Sequence, residues 1–198
     1  KLSGQDKEYI FAVEFGRRTN TGDSDGEVVE AIANAEGAEK YAEALRLRRL
    51  NTNDIKKVLP KFLGEIEQTV PLFSAVKIKG KKLYQIARKK MQNDKYQISN
   101  GNSKVQRPKR KITIHELELL SFSPGTKNSY PVAKFRVFCS KGTYTRALAE
   151  DIGKTLGLPA YQKSLIRTRA GNFTLDKAVN LDGLSERDII PVAKISNS

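Results

Sequence analysis

The chain turns from strand to helix around Cys139-Ser140-Lys141-Gly142-Thr143-Tyr144-Thr145-Arg146, and that corner carries side chains suited to holding an anion. Arg146 is the most telling of them. Its spacing puts it in the first turn of a helix, where the positive end of the helix dipole disfavours a cation. A guanidinium is held there at least cost when a carboxylate or a phosphate joins it, and it can grip either through two parallel hydrogen bonds. Glu150, one turn later, offers an ordinary surface ion pair instead. Spacing leaves both partners open.

A second set of cations surrounds one aromatic ring. Lys77, Lys81, Lys82 and Arg88 lie close to Tyr84 in sequence, a combination that suits phosphates and a splayed-out nucleotide. Arg107, Lys109, Arg110 and Lys111 follow a polar stretch from Met91, which reads as a flexible loop ending at a polyanion contact or as a plain exposed hairpin. Ser164 to Phe173 alternates in a later strand, with Arg167 and Arg169 two residues apart, so both arginines are expected on one face. The whole chain agrees with this bias. Its 198 residues carry 36 Lys and Arg against 22 Asp and Glu, a net charge of +14, which favours a nucleic-acid partner.

Other chemistries are poorly supplied. One cysteine, Cys139, excludes an internal disulfide and a cysteine-rich metal centre, and it fits a reducing compartment. One histidine, His115, has no acid or nucleophile motif beside it and reads as structural. No metal site is expected. No apolar run approaches the roughly 20 residues of a membrane-spanning helix, and nothing at Lys1 resembles a signal peptide.

The elements that must position these groups are legible from periodicity. Strands are expected over 7–16, with Tyr9, Phe11, Val13 and Phe15 on one face, over 112–120 with a bulge near His115, and over 132–139. Residues 17–27 form a turn-rich loop. Asp23 in that loop reads as an organiser of the turn, because the spacing of a calcium-binding loop is not met. The stretch 32–50 is partly helical, and Thr52-Asn53-Asp54 caps an amphipathic helix ending before Gly64. Leu83, Ile86, Ala87 and Met91 mark the inner side of another helix. Thr143 is the expected N-cap of the helix carrying Arg146, with Ala147, Leu148, Asp151, Ile152 and Leu156 near one face and Gly157 at its end. A short helical tail is expected from about 176 to 198.

Several stretches, in order and at the right spacing, resemble the TruB family of bacterial tRNA pseudouridine-55 synthases. They are Cys139 to Asp151 (CSKGTYTRALAED), the strand of Tyr9 closed by Phe15-Gly16, the TxTxDxxG turn over Thr19–Gly26, the Gly64-Glu65-Ile66-Glu67-Gln68 … Ser74-Ala75-Val76-Lys77 … Gly80 … Leu83-Tyr84 … Ala87-Arg88 pattern, and Ser164 to Phe173. The portion at Asn100-Gly101-Asn102 looks like a local insertion relative to the family. The resemblance implies an α+β fold: a mixed, largely antiparallel sheet with helices packed on it and an RNA-binding cleft. It implies isomerisation of the T-loop uridine of tRNA to pseudouridine, without cofactor or metal, by a cytoplasmic monomer. Tyr9 would stack on the target base, Leu165 would pack near the uracil, and Arg146 would hold a catalytic carboxylate. Lys77, Lys81, Lys82, Tyr84, Arg88, Lys141, Tyr144, Arg167 and Arg169 would approach RNA.

In the family the nucleophile is an aspartate in a GxLDPxAxG-type motif preceding the tyrosine strand. None of the aspartates here carries those flanks. The chain is therefore expected to be the C-terminal part of the catalytic domain, without the small RNA-binding module that follows in most relatives. A module that binds or chaperones RNA without catalysis is the alternative. A ribosomal or structural RNA-associated protein would account for the charge but not for the ordered motifs.

Overall fold

A computed structural model describes residues 4–32, 38–93, 107–126, 128–183 and 185. The alternating segments become β1 (Lys7–Phe15), β2 (Arg17–Thr19), β3 (Val28–Ala31), β4 (Gly64–Thr69), β5 (Lys77–Ile78), β6 (Lys81–Lys82), β7 (Lys109–Ser123), β8 (Val132–Cys139), β9 (Ala160–Ala170) and β10 (Phe173–Thr174). The helical segments become α1 (Ala38–Arg49), α2 (Thr52–Val58), α3 (Leu83–Asn93) and α4 (Thr145–Leu156). Six strands form one sheet in the order β10-β9-β1-β8-β7-β4. Each pairing in it is antiparallel. The α+β expectation holds.

The two faces of this sheet differ sharply. On the inner face Phe11, Val13 and Phe15 of β1 meet Phe135 and Val137 of β8, and Leu148, Ile152 and Ile55 from α4 and α2 complete one core. Phe11 and Phe135 stack with ring centroids 5.3 Å apart. Burying such side chains contributes roughly 1.5–3 kcal/mol each. On the outer face, Arg136 bridges Glu8, Glu116 and Glu118 at 3.0–3.2 Å. Glu14 is 2% exposed there and accepts from Arg17 and Lys163. Burial raises the proton affinity of its carboxyl, yet the bonds from Lys163 and Arg17 hold it below the ordinary carboxylate range.

Several local expectations are corrected. Thr143 does not cap α4. Its hydroxyl donates to the Ser140 carbonyl, and Tyr144 occupies the N-cap without a side-chain cap bond. The helix start is fixed from across the sheet by Gln68. That side chain accepts from Tyr144 N at 2.8 Å and donates to Tyr144 O at 3.1 Å. The cap of α2 is Asn51, which forms a reciprocal capping box with Asp54. That helix ends at Val58, and Leu59–Phe62 continues as a 3-10 turn. Gly157 ends α4 in the left-handed conformation, as expected.

Two of the sheet's bulges decide where His115 and the paired arginines face. One falls between Ile114 and Glu116, and it places His115 beside Asp6 at 3.0 Å and against the Phe138 ring. The other is at Thr168: Tyr9 pairs with Arg167, but the next register position pairs Glu8 with Arg169. Arg167 therefore shares the inner face with Tyr9. Arg169 lies on the outer face, its guanidinium 4.3 Å from the Phe138 ring centroid. The two arginines do not share a face as plain alternation implies, because an extra residue in one strand reverses the side-chain phase. Beyond β10, the described tail consists of 3-10 turns at Leu175–Lys177 and Leu181–Gly183. The loop expected around Asn100-Gly101-Asn102 lies outside the described residues.

Candidate active site

The inner face is covered by α4 over only part of its length, and the uncovered end carries Tyr9, Leu165 and Arg167. Leu165 pairs with the fully buried Phe11 yet is itself 44% exposed. An apolar side chain left open beside a half-buried tyrosine makes a surface suited to a flat ring. Burial raises the pKa of the Tyr9 hydroxyl, partly countered by Arg167. The ring thus stays neutral at physiological pH.

Arg146 enters this region from the first turn of α4. Its Nη1 donates to Asp23 Oδ2 at 2.9 Å and to Thr21 O at 3.1 Å, and its Nη2 donates to Phe73 O at 2.8 Å. The carboxylate that offsets the helix dipole is therefore Asp23, 123 residues away, and Glu150 makes no ion pair with Arg146. A guanidinium has five N–H donors. Three are engaged here, which leaves two for a further anion among the described residues.

Asp23 is held as firmly as it holds. Its Oδ1 accepts from Thr21 Oγ1 at 2.6 Å and from Asp25 N at 3.2 Å, and its carbonyl accepts from Thr19 Oγ1 at 2.7 Å. Such a carboxylate, bonded on both oxygens, is a poor nucleophile and a good anchor. The sequence reading of Asp23 as an organiser stands, and the structure adds its partner. The turn is tied to β9 through a bridge between Asp23 and Gln162, with Gln162 N donating to Gly22 O at 2.9 Å. Gly22 has φ 78°, and a β-carbon there would come within 2.6 Å of Glu150 Oε1. The positive φ is what favours glycine, since the tip of the Glu150 side chain could move aside. Glu150 itself forms a wall of an adjoining cleft with Asp151, Arg18 and Arg107. Burial pushes both carboxyls up.

The opposite wall is the segment following β4. Ser74 O accepts from Tyr84 N at 3.1 Å and Val76 O from Leu83 N at 2.8 Å, so the segment that receives Arg146 is stapled to the start of α3. This puts the second cation set within one continuous unit. Lys77 pairs with Lys82 across the β5–β6 hairpin, and Lys81 lies at its tip. Lys82 Nζ and the Arg88 guanidinium lie 5.7 and 5.5 Å from the Tyr84 ring centroid. Lys77, Lys81, Lys82 and Arg88 are exposed, as is Lys141 in the turn before α4. Of the expected contacts, Arg169 alone is carried to the outer face.

Sequence reasoning missed Gln68, the Phe73 carbonyl and Gln162. Gln68 stands inside a quoted motif, but nothing local shows that its amide clamps a helix 76 residues away. Among the described residues no group of three or more His, Cys, Asp or Glu is placed to hold a metal ion, and no helix is long and apolar enough to cross a membrane.

The chain also resembles proteins already known. Residues 1–145 match the family model described as TruB family pseudouridylate synthase (N terminal domain). The tRNA pseudouridine synthase B of Saccharophagus degradans is 39% identical over 185 residues, covering 93% of this chain and 50% of that protein. That of Bacillus pumilus is 41% identical over 191 residues, covering 95% and 52%. The chain thus spans about half the length of the curated relatives it matches. Among solved structures, a Cbf5-Nop10-Gar1 complex aligns with TM-score 0.53 at 22% identity, over 94% of this chain and 41% of that one. An H/ACA RNP bound to a substrate RNA containing 2′-deoxyuridine aligns with TM-score 0.50 at 19% identity, over 94% and 39%. At these identities the structural likeness is one of fold.

Proposed function

Because this chain belongs to the TruB family of pseudouridylate synthases, we propose that its protein isomerises uridine to pseudouridine in RNA, acting on the T-loop uridine at position 55 of tRNA. The observation that carries this reading is the arrangement around Arg146: an anchored guanidinium with two spare donors, on the face that also bears Tyr9 and the uncovered Leu165. The flipped uracil rests on Tyr9 and Leu165, and stacking offsets part of the few kcal/mol that unstacking costs. The two remaining Arg146 donors hold the carboxylate of the family's LDP aspartate ionised and oriented. Attack by that carboxylate breaks the bond from C1′ to N1. The freed uracil anion rotates, C5 bonds to C1′ as the carboxylate is displaced from it, N1 takes up a proton, and the hydrogen at C5 leaves as a proton.

The cations of α3 and the β5–β6 hairpin, with Lys141, Tyr144 and Arg167, hold the T-arm mainly through phosphates and base stacking. The protein works as a cytoplasmic monomer in this reading, with no cofactor. The test is tritium release from T-arm RNA labelled at uridine C5, using the full gene product. Stoichiometric release from position 55, abolished by changing that uridine to cytidine, is expected. Tight binding of the same RNA with no release would favour the non-catalytic RNA-binding module.

A further inference from the structure

Gln68 is 2% exposed, and both ends of its amide go to one backbone unit. Its Oε1 accepts from Tyr144 N at 2.8 Å, and its Nε2 donates to Tyr144 O at 3.1 Å. That carbonyl also accepts from Leu148 N at 3.1 Å, the first helical bond of α4. A local cap would need only Ser, Thr, Asn or Asp at position 144. Tyr144 supplies no side-chain cap bond, and the neighbouring Thr143 hydroxyl is turned to Ser140 O. The helix start is held from another element instead. A buried amide with both ends engaged does what a local cap cannot, because it fixes where α4 stands relative to β4.

Gln68 also opens the stretch of chain that reaches the guanidinium. Further along that stretch, Phe73 O accepts from Arg146 Nη2 at 2.8 Å. Its beginning is pinned to β7: Gln68 pairs with Arg110, Thr69 pairs with Lys109, and Val70 N donates to Pro108 O at 2.9 Å. One short run of chain therefore grips α4 twice, at the backbone of Tyr144 and at the head of Arg146. The other bonds of that head go to Thr21 and Asp23, on a separate turn. The stem of Arg146 is thus held at both ends, by the helix start that Gln68 sets and by three acceptors at the tip. That double hold sets the direction of the two spare donors.

We propose that Gln68 is a positioning residue for the reaction, acting through Tyr144 to aim the spare donors of Arg146. It touches neither the RNA nor the reacting atoms. This rests on the pseudouridine synthase reading of the corner. A displacement on the order of 1 Å at a catalytic group can cost about 100-fold in rate. Substrate affinity is set elsewhere, by the exposed cations of α3 and the β5–β6 hairpin. Gln68 should therefore show itself in turnover and not in binding.

The test is a double-mutant cycle on turnover. Tritium release from T-arm RNA is measured for the full gene product as wild type, Gln68→Met, Arg146→Lys and the double variant. Met matches Gln in length and removes both hydrogen bonds. Gln68→Met should lower kcat by about 10- to 100-fold, while KM for the RNA changes by less than about threefold. In the Arg146→Lys background the same change should cost less than about threefold, because an ammonium offers no fork to aim. A role confined to holding the helix together would multiply the two losses. An unchanged kcat in Gln68→Met, multiplied losses in the double variant, or a loss in KM alone overturns the assignment. A thermal melt shows whether each variant has folded. If Gln68→Met does not fold, Gln68→Glu, which keeps the shape and the bond from Tyr144 N, is read in its place on the same terms. No release by the wild type from unmodified RNA sinks the pseudouridine synthase reading itself, an outcome distinct from all of these.

Discussion

Replacing Arg146 by Lys keeps the charge and removes the fork. The ammonium can retain one of the three bonds now made to Asp23, Thr21 and Phe73, and it cannot present two parallel donors to a second carboxylate. Hydrogen bonds involving a charged group contribute about 1.5–3 kcal/mol each. Both side chains of the pair are about one-fifth exposed, so water recovers part of this. We expect about 2 kcal/mol less stability by urea denaturation. The larger effect should fall on catalysis, a loss of about 2–4 kcal/mol in transition-state stabilisation, or roughly 30- to 1,000-fold in kcat, as for removal of one pre-organised donor. T-arm RNA affinity should change less than about threefold, because many other cations hold the backbone. Asp23→Asn should lower activity by a smaller factor, since Arg146 keeps its two carbonyl partners. The double variant should be no worse than Arg146→Lys by more than about 0.5 kcal/mol, because both act through one unit. Full activity of Arg146→Lys, or strict additivity of the two changes, would refute the account of the corner.

Tyr9→Phe should retain most activity while Tyr9→Ala loses at least about tenfold in kcat/KM, since base–aromatic stacking is worth about 1–3 kcal/mol; equal losses would assign chemistry to the hydroxyl. Glu14, with its proton affinity held down by Lys163 and Arg17, contributes stability that is present above its unfolded pKa near ~4.3 and is lost as pH falls through its lower folded value. Urea midpoints should therefore drop on acidification below about pH 4.5, and Glu14→Gln should cost about 2–3 kcal/mol at pH 7 while flattening that acid limb. Neutralising Lys77, Lys81 and Arg88 together should reduce the salt dependence of T-arm binding by about one unit of log–log slope per lost phosphate contact, and an unaltered slope would remove them from the RNA face.

What the sequence determined by itself is local in origin. The alternation of Tyr9, Phe11, Val13 and Phe15 and of Phe135, Val137 and Cys139 announces two central strands with their inner faces, because side-chain direction along a strand repeats every two residues whatever surrounds it. The helix carrying Arg146, its end at Gly157, the organising turn at Asp23 and the cations around Tyr84 were legible for the same reason, as was the family from its ordered motifs. Only the tertiary structure decided who meets whom. Arg146 finds Asp23 rather than the nearby Glu150 because β9 carries the 19–26 turn against the start of α4. Tyr144, not Thr143, begins that helix because Gln68 reaches it from β4. Arg169 leaves the pocket face through an extra residue at Thr168, a change of phase that pairing with β1 imposes and that β9 alone does not encode. Gln162 reads along the chain as one more polar residue in a strand; its position between Asp23 and Val13 exists only once three segments distant in sequence have been laid side by side.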